Sequence, residues 1–179
     1  RLSVITPIEL EHTEILGTKI EAIAMEKAGI IKPGVPVVVS RQKEEALSVL
    51  KEIADEKGSP LHRMDKSTAW MNTTVEGGKT VVRWQFHEDS PETASLRLNG
   101  DFQGDNAITA ALAVKTLVRR GDFTGSYGNS AEVEGWEIPI AQGLETAYLP
   151  GRMEIVNLGV PFILDGAHTV ASITALIRS

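Results

Sequence analysis

Pro33-Gly34-Val35-Pro36-Val37-Val38-Val39-Ser40 is a turn followed by an unbroken apolar run. A strand with one wet face alternates apolar and polar residues. One that is apolar at every position must be covered on both faces, as in a parallel sheet flanked by helices. The sequence on either side agrees. After it, Ala46, Val49, Leu50 and Ile53 recur at helical spacing until Gly58. Before it, Ile20, Ile23 and Ala24 share one helical face. Thr18 and Glu21 have capping-box spacing at the start of that helix, and Gly29 suits its C-terminal cap. Before that, Ser3 to Ile8 is a short β-branched run. The β-α-β-α order predicts a mainly parallel sheet with helices on its faces, an α/β fold.

The middle of the chain changes period. Thr73-Thr74-Val75-Glu76-Gly77-Gly78-Lys79-Thr80-Val81-Val82 predicts two strands joined by a glycine turn. After Leu96 to Leu98, a helix is expected from near Asn106 to about Arg120, with Ile108, Ala111, Leu112, Val114 and Val118 on its apolar face. Gly121 to Gly135 reads as a loop and Ile138 to Thr146 as a short helix. Pro150-Gly151 looks like a linker, before two strands at Met153–Val156 and Pro161–Leu164. The expected domains are 1–147 and 148–179, with the boundary near Tyr148. No internal repeat is visible.

Composition narrows the class. With no cysteine among 179 residues, disulfides and thiolate metal sites are excluded. The net charge is −6 and the basic residues are dispersed, whereas nucleic-acid binding needs clustered Lys and Arg. The apolar runs are too short to span a bilayer. Position 1 is Arg, the first residues read as a buried strand and the last as a helix. A piece of a longer protein is therefore expected.

Gly78-Lys79-Thr80 ends like a Gly-x-x-x-x-Gly-Lys-Thr phosphate loop, but the first glycine would fall at position 73, which is Thr. That loop also needs a helix after it, so that backbone N–H groups face the phosphates. Val81-Val82-Arg83-Trp84 is a strand pattern instead, and no other stretch of the sequence fits.

Four other stretches carry chemistry. They are Ile5-Thr6-Pro7-Ile8-Glu9-Leu10-Glu11-His12-Thr13-Glu14-Ile15-Leu16-Gly17; Glu26-Lys27-Ala28-Gly29-Ile30-Ile31-Lys32-Pro33-Gly34; Leu98-Asn99-Gly100-Asp101-Phe102-Gln103-Gly104-Asp105-Asn106-Ala107; and Leu149-Pro150-Gly151-Arg152-Met153-Glu154 followed by Leu164-Asp165-Gly166-Ala167-His168. In order and spacing the chain resembles the folylpolyglutamate synthases and their bifunctional dihydrofolate synthase relatives, a branch of the Mur ligases. The resemblance covers almost all of it. By that resemblance, residues 1–147 are the C-terminal part of a Mur-type ATP-binding domain with a β-hairpin. Residues 148–179 are then a linker and the start of a Rossmann-like ligase domain.

The resemblance also implies roles. Taken alone, His12 at a strand end is more often a hydrogen-bonded loop residue; its family counterpart is a magnesium ligand. Glu9, Glu11 and Glu14 lie near it in sequence and could tune such a site. Lys27 as a free ammonium would repel a cation, and the bland reading is a surface lysine near a helix end. Its counterpart, at the matching separation 27 − 12 = 15, is carbamylated and ligates magnesium through oxygen. Forming the carbamate needs the neutral amine, which burial favours. Asn106 reads as an N-cap, and its counterpart contacts adenine. Arg152, Asp165 and His168 are implied ATP contacts, with Lys27, Arg152 and His168 as the catalytic set; the plain alternative for Arg152 is a salt bridge with Glu154. The chain departs from the pattern in having Phe102 where many relatives have His, and Thr169 where they have Asn. His62 and His87 have no motif around them and read as surface histidines.

The implied activity is an ATP-dependent carboxylate–amine ligation. L-Glutamate is added to a folate or to dihydropteroate through an acyl phosphate, with ATP and Mg2+ as cofactors. The enzyme would be a cytoplasmic monomer, with no nucleic-acid or membrane partner, and the chain alone would be inactive. The rivals are another Mur-type ligase, acting on peptidoglycan precursors or cyanophycin, and a non-catalytic α/β nucleotide-binding module.

Overall fold

The computed structural model describes residues 1–10, 18–87, 89–121 and 137–179. It divides into two compact units: Arg1–Ser67 with Thr109–Glu132, and Thr68–Ile108 with Val133–Ser179. Tyr148 therefore lies inside the second unit.

The first unit is a three-stranded parallel sheet in the order β1 (Ser3–Ile5), β2 (Val37–Val39), β3 (Leu61–Arg63). Helices α1 (Ile20–Lys27) and α2 (Glu44–Glu56) connect the strands. Val37, Val38 and Val39 are all fully buried, as a strand covered on both faces must be. Val37 and Val39 join Ile5, Ile23, Leu50 and Ile53 in the core. Fully burying each such side chain contributes about 1.5–3 kcal/mol.

The turn before β2 forms as its residues require. Val35 N donates to the Lys32 carbonyl at 3.0 Å, and Gly34 supplies the left-handed φ of 68°. Helix α2 ends in a Schellman motif: Gly58, at φ 57°, donates to Asp55 O and Ser59 donates to Ala54 O.

Two expectations about α1 are corrected. The helix starts at Ile20 with Lys19 as N-cap, and no side chain caps it, so the Thr18–Glu21 box does not form. Packing of Ile23 and Ala24 into the core sets the start instead. Gly29 is not a left-handed cap either; it lies within a 3-10 turn, Ala28–Ile30, and Gly34 makes the reversal. Strand β3 has one apolar residue in three and no alternation, so it was invisible in the sequence; pairing with β2 creates it. Its His62 is half-buried rather than a surface histidine, and burial, then Arg119, lower its pKa. A four-residue turn of helix, α3 (Met64–Ser67), follows.

The second unit opens with an antiparallel sheet, β4 (Thr68–Glu76), β5 (Lys79–Phe86) and β6 (Glu92–Leu96). Glu76 pairs with Lys79 across Gly77 and Gly78, whose φ values of 58° and 77° are those of a type I′ turn. Gly78-Lys79-Thr80 is thus a hairpin turn running into a strand. Helix α4 (Phe102–Arg119) starts one turn earlier than expected, and the division between the units falls within it. Its first N–H groups are satisfied locally, Gln103 N by Gly100 O and Gly104 N by Asp101 O. Helix α5 (Glu137–Thr146) follows at the expected place. The stretch from 122 to 136, read as a loop, lies outside the described residues. The chain then forms the hairpin of β7 (Glu154–Asn157) and β8 (Pro161–Leu164), and α6 (Val170–Arg178).

Candidate functional site

Within the second unit, Leu149 to Arg152 and Ile163 to Gly166 line an open cleft of about 560 Å3. The linker and the end of β8 are laced together there. Gly166 N donates to Gly151 O at 2.9 Å. One Asp165 carboxylate oxygen accepts from Met153 N at 2.8 Å and the other from Ala167 N at 2.7 Å. Asp165 therefore stitches the linker to β8, and each oxygen keeps acceptor capacity for a ligand.

Arg152 is exposed in this cleft, and its guanidinium lies over Gly166. A Cβ at position 166 would stand 3.3 Å from Arg152 Nη1, so the glycine leaves room for the arginine. The Arg152–Glu154 salt bridge is not formed. Glu154 instead accepts from Tyr148 OH at 2.5 Å and from Gly151 N at 3.0 Å. Those two bonds, the tyrosine first, hold the Glu154 carboxyl below its usual pKa. Arg97 lies 5.0 Å from the centre of the Tyr148 ring, a cation–π contact.

His168 is exposed beyond the strand, with Nδ1 2.8 Å from Gly166 O. A carbonyl can only accept, so Nδ1 carries a proton and Nε2 is the nitrogen left for a ligand. Thr169, the departure from the family pattern, has a local reason. It N-caps α6, accepting from Ser172 N at 3.1 Å, and Ser172 closes the capping box.

The other expected site residues lie elsewhere. Asn106 is exposed on the second turn of α4, so it is not the N-cap; its side chain donates to Gln103 Oε1 at 3.0 Å. Lys27 is the last residue of α1 and is exposed, so the described residues do not supply the burial that would favour its neutral amine. His12, Glu11 and Glu14 lie outside the described residues, while Glu9 pairs with Lys43 at 2.6 Å. Among the described residues no three His, Asp or Glu side chains gather as a metal site. An unmodified ammonium has no lone pair to give, so these residues alone do not fit magnesium. Reading the sequence missed Tyr148 and the true role of Glu154, because nothing in the order of residues shows that a side chain will turn back on its own linker.

No family model matches the chain. It is similar to the dihydrofolate synthase/folylpolyglutamate synthase of Bacillus subtilis, with 33% identity over 99% of this chain and 39% of the relative. A solved FPGS-AMPPCP-folate complex superposes with a TM-score of 0.84 at 28% identity, over 99% of this chain and 41% of that one. The Mycobacterium tuberculosis folylpolyglutamate synthase complexed with ADP and AMPPCP gives 0.81 at 27%, over 99% and 38%. The chain thus spans about two fifths of the length of these relatives. Motifs, sequence and fold agree over nearly every residue of it: along 99% of its length the chain is similar to one part of the folylpolyglutamate synthases.

Proposed function

We propose that this chain is part of an ATP-dependent amide ligase that adds L-glutamate to folates, to dihydropteroate, or to both. The ATP γ-phosphate passes to a substrate carboxylate, and the amino group of glutamate attacks the resulting acyl phosphate, forming the amide and releasing phosphate. Such a reaction depends on holding the partners in line and on offsetting phosphate charge. The observation that carries this reading is the cleft in which Arg152 is exposed over Gly166, with Asp165 and His168 following the adjoining strand. Its support from outside is the likeness to relatives whose structures hold AMPPCP, ADP or folate.

In this reading Arg152 pairs with phosphate oxygens, and Asp165 and His168 hold ribose or phosphate. Asn106 contacts the adenine. His12 and a carbamylated Lys27 hold Mg2+. Residues 1–147 end the ATP-binding domain and 148–179 begin the ligase domain. The protein works as a cytoplasmic monomer; among the described residues no helix is long and apolar enough to cross a membrane.

The test is a glutamate-incorporation assay on the longer protein to which this chain belongs, with folate, dihydropteroate and a UDP-muramoyl acceptor offered in parallel. Glutamate enters folate, dihydropteroate or both, and not the muramoyl acceptor. Turnover of the muramoyl substrate, or of none of the three, refutes the proposal. The 179-residue chain alone, which has no phosphate loop in its sequence, is expected to add no glutamate.

A further inference from the structure

We propose that Glu154 is a positioning residue for Arg152, holding the linker turn so that the guanidinium is presented ready-placed; this rests on Arg152 being the phosphate contact. Glu154 itself touches no ligand in this proposal. Its two oxygens clasp the turn from both sides: Tyr148 OH, before Pro150-Gly151, at 2.5 Å, and Gly151 N at 3.0 Å. Arg97 over the Tyr148 ring braces the far end of the clasp.

On the other side of Arg152 the chain is held as firmly. Met153 has a φ of 44°, a left-handed conformation that a residue with a side chain keeps only when its surroundings enforce it. Three contacts do so. Its N–H is bound by Asp165 and its carbonyl accepts from Asn99 Nδ2 at 3.3 Å. The residue is only 8% exposed, with Sδ so close to Gly100 that a Cβ there would lie 2.8 Å away. Gly151 and Met153, the two neighbours of Arg152, are thus each fixed through backbone groups. A flexible interdomain linker would have left these groups to water. A long, rotamer-rich side chain on a fixed backbone loses less freedom when it binds an anion, so the clasp adds affinity without a new ligand contact.

Carboxylates bound to backbone N–H groups make charge-assisted bonds, and Glu154→Ala leaves Gly151 N and Tyr148 OH without one. The resonance experiment uses the 179-residue chain, and the titration with ATP as the probe uses the longer protein to which it belongs. Without ligand, nuclear magnetic resonance of E154A is expected to show the Gly151 amide losing about ten-fold of its hydrogen-exchange protection. The Arg152 Nε–H should gain mobility in the same variant. Glu154→Gln keeps one acceptor oxygen and restores part of both signals, and Tyr148→Phe loosens Arg152 less than E154A does. With ATP titrated in, E154A is expected to bind about ten-fold more weakly, E154Q to lie between it and the wild type, and Arg152→Ala to lose binding altogether. Unchanged Gly151 protection and Arg152 mobility in E154A, or in E154Q and Y148F should E154A not fold, overturn the positioning role. An Arg152→Ala variant that matches wild type in ATP binding, or a wild type that binds none, defeats the phosphate reading instead and leaves the resonance result to judge Glu154.

Discussion

Replacing Gly104 with alanine probes the contact that seats α4 on the β4–β5–β6 sheet. Gly104 is buried in the first turn of the helix, and its backbone approaches Thr73 of β4. An added Cβ would lie 2.0 Å from Thr73 Oγ1, 3.0 Å from its Cβ and 3.1 Å from its Cγ2. Rotating the threonine does not fully clear the way, because its Cβ stays at 3.0 Å whatever the rotamer. Helix propensity works in the opposite direction. An overlap this deep belongs at the upper end of the roughly 1–3 kcal/mol that overpacking costs, and alanine in a helix returns up to about 1 kcal/mol, so the expected net loss is about 2 kcal/mol or more. Chemical denaturation of the chain followed by circular dichroism measures it. Thr73→Ala removes Oγ1 and Cγ2 and leaves only the contact at 3.0 Å. The double variant should therefore recover about half of the loss or more, a coupling that independent sites would not show. A Gly104→Ala chain as stable as the wild type, or more so, would mean that the helix does not sit on Thr73 as described.

Three further outcomes are expected. Asp165→Ala leaves the N–H groups of Met153 and Ala167 without their acceptor; it should cost about 1–3 kcal/mol in the same assay, with Asp165→Asn intermediate. Gly78→Ala forces a side chain into the left-handed half of the hairpin turn and should cost about 1 kcal/mol or more, while Gly77→Asn is nearly neutral. His62, whose native pKa lies below the ordinary 6.5, contributes stability that is fully present above that pH. As pH falls below it the unfolded chain takes up the proton first, and stability drops until the native histidine also protonates. The urea midpoint should thus fall between about pH 7.5 and about pH 5.5, and fall less in His62→Gln; equal slopes in the two proteins would exclude the histidine as the cause.

The parts of this protein that were legible in the order of residues are those whose cause is local. Val37 to Val39 announce a strand covered on both faces because no polar side chain interrupts them. Gly34, Gly58 and the Gly77-Gly78 pair mark reversals because a left-handed φ is cheap only for glycine. The helix Glu44–Glu56 follows from apolar spacing, and the four motifs, in their order, were enough to point to the family.

What depended on the folded chain are features whose partners are chosen by the path of the backbone, whether they lie near or far in sequence. The start of α1 was misplaced because packing of Ile23 and Ala24 outweighed a capping signal that costs little to forgo. Strand β3 exists because β2 offers it an edge. Asn106 moved inside its helix because Gly100 and Asp101 begin the turn earlier. The clasp of Glu154 on Tyr148 and Gly151, the two bonds of Asp165 and the reach of Asn99 to Met153 join groups up to 54 residues apart. A side chain's partner in such a bond is chosen by where the backbone has already gone. The sequence could therefore name Arg152 as the residue that carries charge into the cleft, but not the carboxylate that holds it there.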